Sequence, residues 1–362
     1  MLLRRAVTFT ALLFSVLVWA DDAPAHAGGV SISEIHIIRS QGDFPFSNYD
    51  FSAIDQHALE APARLKSSPQ KLVEYLVRPA RNDLEKTRAV FRWVAENIRY
   101  DTDSYFSGNI RSANPKEVLQ SGKAVCSGYS GLFEMLAEKA GLNVVSIAGF
   151  GKGYGYREGQ KIRSVNHAWN AVKIDGKWYL LDATWAAGGY SDQHGKWGRE
   201  FDESYFLSPP EVFALTHLPR DTKWQLLDQP LTREQFQRYP RIEPVFFTVG
   251  FDANEVLQRL KRNPDLETPQ IYTLLKKIDV HIEEAPVSGV LSRKKNYTFT
   301  ISSSEVARAA LVNNGQFSFM EKQGGKFTST ISPNRSSVGI YVLPKNNDGS
   351  NRFNGLLEYE VE

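Results

Sequence analysis

The chain has 362 residues, a length that suits two or three domains. Hydrophobic residues make up 42% and charged residues 23%, enough apolar material to bury a core. The net charge of +2 supplies no long-range field for nucleic acid or an anionic membrane surface, so neither is expected as a partner.

Arg4 and Arg5 precede an apolar stretch from Ala6 to Trp19, too short to span a bilayer comfortably. Val18-Trp19-Ala20 and Ala25-His26-Ala27 both offer small residues before a cleavage point. Residues 1–27 are therefore expected to be a secretory signal, with the mature chain periplasmic or extracellular. The arginine pair alone supports a twin-arginine route. No later stretch reaches about 20 apolar residues, so no transmembrane segment is expected in the mature chain. No cysteine stands directly after the apolar stretch, which argues against lipid attachment through an N-terminal cysteine.

Residues 28–47 are polar and expected to be flexible. Tyr49 to Ala63 has a loose helical pattern. Ser68-Pro69 opens a helix, with serine as the cap and proline at the first position. Asp83 is expected to cap the next helix, with Lys86 where a capping box would place a carboxylate. Ala89, Val90, Trp93, Val94, Ala95 and Ile98 give that helix a broad core face. Tyr105 to Asn114 is expected as a loop and Lys116 to Gln120 as a short helix broken by Ser121-Gly122.

The only cysteine, Cys126, follows that break. Tyr129, Leu132, Phe133, Leu136, Ala137 and Ala140 then recur at helical spacing, and Gly141 stands at the C′ position. A thiol at a helix N-terminus lies in the positive end of the macrodipole, which favours the thiolate. Gly128 and Gly131 in the first turns suit either close helix packing or close substrate approach. A lone cysteine in an exported chain is most often a small buried hydrophobe, so its neighbours must decide its role.

Val144 to Phe150 is a strand candidate, and Gly151 to Ser164 a glycine-rich loop. Lys152, Arg157 and Lys161 form a basic rim or a substrate clamp there. His167 to Ile174 and Lys177 to Asp182 flank Asp175-Gly176, a two-residue hairpin turn. That turn pairs Ile174 with Lys177. Continued outward, the register sets Asp182 against Trp169 and Thr184 against His167, all on one face. His167 and Asp182 become diagonal neighbours about 7–8 Å apart, within side-chain reach. A one-residue slip would separate them.

Tyr205 to Leu207 reads as a short strand, Pro209-Pro210 as a helical turn, and Thr232 as the cap of Arg233 to Gln237. Pro240 to Pro244 marks a boundary. Residues 252–262 and 268–277 have helical patterns. Beyond them come seven strand candidates, 279–284, 296–302, 306–312, 316–322, 326–331, 336–343 and 353–361, separated by Asn/Gly/Pro turns. They suggest an immunoglobulin-like sandwich with a structural or adhesive role.

A nucleophilic thiol needs a base, and the base a group that fixes its tautomer. Cys126, His167 and Asp182 supply all three. His57, His194 and His217 lack ligand spacing, so no metal is expected. Asp43, Asp50 and Asp55 read as solvated.

These residues resemble the transglutaminase-like superfamily through Val94–Asp101, Gly122–Leu132, Asn166–Trp169 and Trp178–Trp185. Ile54–Pro62 and Tyr205–Leu227 resemble one branch of it, the kyphoscoliosis peptidase-like proteins. The resemblance implies a papain-like α+β core over residues 48–240, before the β-sandwich module at 241–362. It also implies thiol acyl transfer or peptide cleavage without a cofactor, with Cys126, His167 and Asp182 at the triad positions. Ser127-Gly128-Tyr129 departs from related domains, where a glycine directly after the nucleophile or a nearby acidic residue is common.

The expected activity is cysteine-dependent acyl transfer on protein or peptide amides. Hydrolysis and transamidation stay open. Trp169, Trp185, Tyr129 and Tyr100 are candidates for a substrate groove, against plain core packing. The Cys126 N–H is the expected oxyanion donor, with Tyr100 or the preceding loop as a second. Expected partners are a protein or peptide substrate and a possible cell-envelope protein. The alternative is a catalytically silent binding or scaffold protein of the cell envelope.

Overall fold

A computed structural model describes residues 44–109, 114–191, 195–272, 278–313, 315–334, 336–346 and 352–362. The expected signal segment and His194 lie outside the described residues. Among the described residues no helix is long and apolar enough to cross a membrane.

The N-terminal part packs helices on a four-stranded antiparallel sheet. The long helix Asp83–Asn97 buries Ala89, Val90, Trp93, Val94 and Ala95, as its apolar face dictates. Its cap is Asn82, whose side chain accepts the Glu85 N–H, and not Asp83, which is already helical. Thr102–Ser107 is a short helix capped by Asp101, and it runs into the start of the loop expected from Tyr105. The asparagine-capped helix Pro115–Ser121 ends at Gly122 with φ +66°, so the chain turns sharply into Lys123-Ala124. The cysteine helix, Cys126–Lys139, follows.

The sheet runs in the order Lys177–Leu181, His167–Ile174, Asn143–Gly151, His217–Pro219. The hairpin keeps its expected register from Ile174↔Lys177 to Asn170↔Leu181. Asp175 and Gly176 have φ +48° and +81°, the pair of positive values a type I′ turn needs. Pairing stops there. The Asp182 N–H bonds to the Tyr205 carbonyl, and Asp182 caps a one-turn helix, Ala183–Ala186. Asp182 and Thr184 therefore do not face Trp169 and His167 across a ladder. Tyr205 closes a 3₁₀ turn, Glu203–Tyr205, and not a strand.

Asp55, expected in solvent, accepts both Nε and Nη2 of buried Arg88 at 2.6 and 2.7 Å. That pair joins the helix Ser52–Leu59 to the long helix.

The C-terminal part is two β-sheets. One contains His281–Glu284, Tyr297–Ser302, Lys326–Ile331 and Glu321–Gln323. The other orders Val290–Leu291, Asn354–Val361, Ser337–Pro344, Val306–Asn313 and Gln316–Phe319. Gln270–Ile271 joins that second sheet beside Asn354–Val361, where a helix over 268–277 was expected; 273–277 lie outside the described residues. Phe299, Ile301 and Phe327 of one sheet share a buried core with Leu311, Val338 and Ile340 of the other.

That second core does not stop at residue 240. Phe150, Val212, Leu215, Leu218 and Phe236 belong to the same buried cluster. Lys152, read as part of a basic rim, is fully buried; its ammonium donates to the carbonyl of Tyr239 at 2.7 Å and lies over the ring of Phe236.

Candidate functional site

Cys126 is the first residue of its helix. Val125, the preceding residue, is extended and offers no capping side chain. The first-turn N–H groups therefore stay oriented at the thiol end without a side-chain acceptor. Gly128 is needed for packing: a Cβ there would lie 2.6 Å from that of Ala124. Two latches fix the helix. The Tyr129 hydroxyl donates to the Ile98 carbonyl at 2.6 Å. The Ser130 hydroxyl donates to the Trp169 carbonyl at 2.9 Å, while Asn170 returns a bond to the Ser130 carbonyl. The helix is thus tied to the strand that begins with His167.

His167 is buried, and its Nε2 lies 2.7 Å from Oδ2 of Asp182. Cys126 is an electrostatic neighbour of the imidazole, and with Nε2 on Asp182, Nδ1 is the ring nitrogen left for it. Trp185 stacks on the ring at 4.7 Å. Burial pushes the His167 imidazolium down, but the Asp182 carboxylate beside it more than reverses this and raises its pKa to about 10.

Asp182 is fully buried. Its Oδ1 accepts the N–H groups of Thr184 and Trp185, the capping bonds of the one-turn helix, at 2.7 and 3.2 Å. Its Oδ2 accepts from His167 and, at 3.2 Å, from Nε2 of His217. Burial alone would raise its pKa; the two imidazoles outweigh burial and hold it well below the usual carboxylate range.

His217 is the site residue that sequence reasoning missed. It starts the edge strand opposite Gly151, so the central strand carries a histidine on each side, His167 opposite Gly149 and His217 opposite Gly151. Gly149, Gly151 and Gly153 alternate along the strand beside it and its continuation. A Cβ on these would press on Trp169, His167 and Trp185 respectively, so the glycines let bulky rings close over the strand end.

His167, Asp182 and His217 bring ligand-type atoms within 4.8 Å of one another, near enough to hold a metal ion. The separations of 2.7 and 3.2 Å from one oxygen are those of hydrogen bonds, and an ionised carboxylate can only accept. As hydrogen bonds, both place a proton on the histidine nitrogen.

The aromatic candidates separate. Trp169 and Tyr129 are each 1% exposed and pack in the core, so neither lines a groove. Trp185 and Tyr100 are half-buried. The Tyr100 phenol is pushed up first by burial and then by the neighbouring Cys126. Tyr105 lies 5.8 Å from Tyr100, and exposed Phe106, Tyr154 and half-buried Tyr190 continue outward in edge-to-face contacts. A cleft of about 740 Å³ lined by Phe44, Phe46, Tyr49, Phe247, Phe251 and His281 lies elsewhere and includes none of the three site residues.

Residues 70–183 match the transglutaminase-like superfamily. Kyphoscoliosis peptidase of Mus musculus is 33% identical over 259 residues, 68% of this chain and 37% of that protein, and the Homo sapiens protein gives the same values. LIM and transglutaminase domain protein ltd-1 of Caenorhabditis elegans is 32% identical over 54% of this chain and 28% of its own length. The chain thus spans well under half the length of these relatives. The matched span contains the cysteine helix, the hairpin and both His167 and Asp182, and the chain belongs to the transglutaminase-like superfamily, on its kyphoscoliosis peptidase-like branch.

Proposed function

We propose that the protein is an exported cysteine acyl-transfer enzyme acting on protein or peptide amides. The observation that carries this reading is His167 bonded through Nε2 to Asp182, with Cys126 as a neighbour of the same ring. A raised imidazole pKa keeps His167 protonated at neutral pH, which suits a thiolate–imidazolium pair.

In the reaction, the Cys126 sulfur attacks the amide carbonyl carbon and the C–N bond breaks. His167 delivers its proton to the departing amine, and a thioester on Cys126 results. Water or a second amine then attacks the thioester and passes a proton to His167, and the thiolate is released. Water gives cleavage; an amine gives a new amide. The oxyanion takes the Cys126 N–H at the helix N-terminus. Tyr100, Tyr105 and Phe106 form the rim that flanks the reacting bond.

The test is the rate of Cys126 alkylation by iodoacetamide near pH 7, followed by incubation with a glutamine-containing protein and a labelled amine. Alkylation faster than that of a peptide cysteine, lost in His167→Ala, is expected. Slow labelling unaffected by His167→Ala would sink the enzyme reading and leave the scaffold role. Label incorporation identifies transfer, and new termini identify cleavage.

A further inference from the structure

We infer that His217 is a positioning residue for the Asp182 carboxylate, a second imidazole donor on the oxygen that orients His167. The inference rests on the thiol reading above, because His217 acts through Asp182 and His167.

The hydrogen bonds define its state. Nε2 of His217 lies 3.2 Å from Oδ2 of Asp182, and Nδ1 lies 2.8 Å from the Thr216 hydroxyl. An ionised carboxylate cannot donate, so Nε2 carries a proton. The Thr216 hydroxyl has one proton and two acceptors in range, His217 Nδ1 at 2.8 Å and the Phe213 carbonyl at 3.4 Å. Burial favours the uncharged ring, and with the proton on Nε2, Nδ1 is left to accept from the Thr216 hydroxyl; this is the neutral Nε2–H tautomer.

Its surroundings hold that state. The ring stacks on Phe213 at 3.9 Å and meets Trp185 at 4.2 Å and Trp169 at 5.0 Å. The titratable groups that face it are Asp182, His167 and the Tyr205 ring at 6.3 Å. Lys152 reaches this corner only through its backbone N–H on the Thr216 carbonyl; its ammonium points to Tyr239. Burial first, and the charge of His167 after it, lower the His217 pKa, while Asp182 opposes them.

The function of the bond is geometric. Two backbone N–H groups hold Oδ1, and two imidazoles hold Oδ2, so the carboxylate plane is fixed by four donors. Without His217, Oδ2 has one partner, the carboxylate is held by three donors in place of four, and it takes a proton at higher pH. His167 then loses both its orientation and its counter-charge. Thr216, His217, Asp182 and His167 form a single hydrogen-bonded series, and Cys126 neighbours its last ring.

The experiment measures iodoacetamide alkylation of the full chain from pH 5 to 9 in the wild type, His217→Leu, His217→Gln and His167→Ala. Leucine fills space without donating; glutamine keeps an N–H donor. Loss of an orienting partner of this kind slows a site by about 10–100-fold, so the leucine variant is expected to fall at least about tenfold at pH 6 with its acid limb moved upward. Glutamine is expected to restore most of the rate. An unchanged leucine profile, with His167→Ala slow, overturns the role of His217 alone. A glutamine variant as slow as leucine overturns it too, because the ring would then act by volume. A His167→Ala profile matching the wild type overturns both this inference and the thiol reading. Should the leucine variant not fold, the ¹⁵N spectrum of wild-type histidines decides, with His217 assigned from its loss in His217→Gln. A neutral Nε2–H pattern from pH 5 to 8 is expected; an Nδ1–H tautomer, or titration near pH 6.5, overturns the inference.

Discussion

A Cβ built on Gly151 would come within 2.9 Å of the Cβ of His167, closer than two such carbons approach. The central strand therefore sets the height of the imidazole above the sheet. Gly151→Ala must push His167 away from its partners or distort the strand. The expected result is destabilisation by about 1–3 kcal/mol, from overpacking. Alkylation of Cys126 should fall about a hundredfold, as expected for a displacement near 1 Å. Denaturant midpoints and iodoacetamide rates measure the two effects separately.

Asp182→Asn keeps the size of the side chain and removes its charge. The raised pKa of His167 depends on that charge. Its imidazole should titrate lower in the variant, and turnover should fall by about 10⁴, the loss seen when an orienting aspartate of a Ser-His-Asp triad is replaced by asparagine. Histidine NMR titration and turnover of any substrate found by the amine and cleavage assays provide the check.

The two histidines should give stability opposite pH dependences. The folded pKa of His217 is lowered, chiefly by burial, from 6.5 to about 4. Its contribution is fully present above pH 6.5 and is lost as pH falls towards 4, a change of about 3 kcal/mol. The folded pKa of His167 is raised to about 10, so its contribution is full below pH 6.5 and is lost as pH rises to 10. Urea midpoints from pH 4 to 10 should show His217→Gln flattening the acid limb and His167→Ala the alkaline limb. Parallel shifts of the whole curve would contradict both.

Lys152 should lower stability at neutral pH. Burial pulls its folded pKa from 10.5 to about 7. Between those values the unfolded chain binds a proton that the folded chain does not, so the penalty grows as pH falls from 10.5 and is complete below 7. Lys152→Met removes the penalty and gives up the carbonyl contacts to Tyr239 and Pro240. A gain of about 2 kcal/mol at pH 6, vanishing near pH 10, is expected from thermal or urea unfolding.

Local rules read from the residues placed most elements. Asp175-Gly176 gave the turn and its register through Leu181, because a type I′ turn leaves one pairing open. The rule ended one residue early, where Asp182 gives its N–H to Tyr205. His167 and Asp182 still meet, through a helix cap and not a ladder. Asp101 caps a helix, Thr102–Ser107, that lacks an apolar period strong enough to read. His217 was illegible because its partner lies 35 residues away and its strand is three residues long. Lys152 looked solvated because nothing in its own segment announces the Tyr239 carbonyl, 87 residues on.

The buried cluster that runs past residue 240 has a practical consequence. A fragment ending at Pro240 would split the buried cluster that holds Val212, Leu215, Leu218 and Phe236, and would cut beside the carbonyls that receive the Lys152 ammonium. Those side chains lie on the segment that carries His217. One buried cluster thus runs from the segment that carries His217 into the C-terminal part, so cutting the chain at Pro240 would divide a core and not release a spacer.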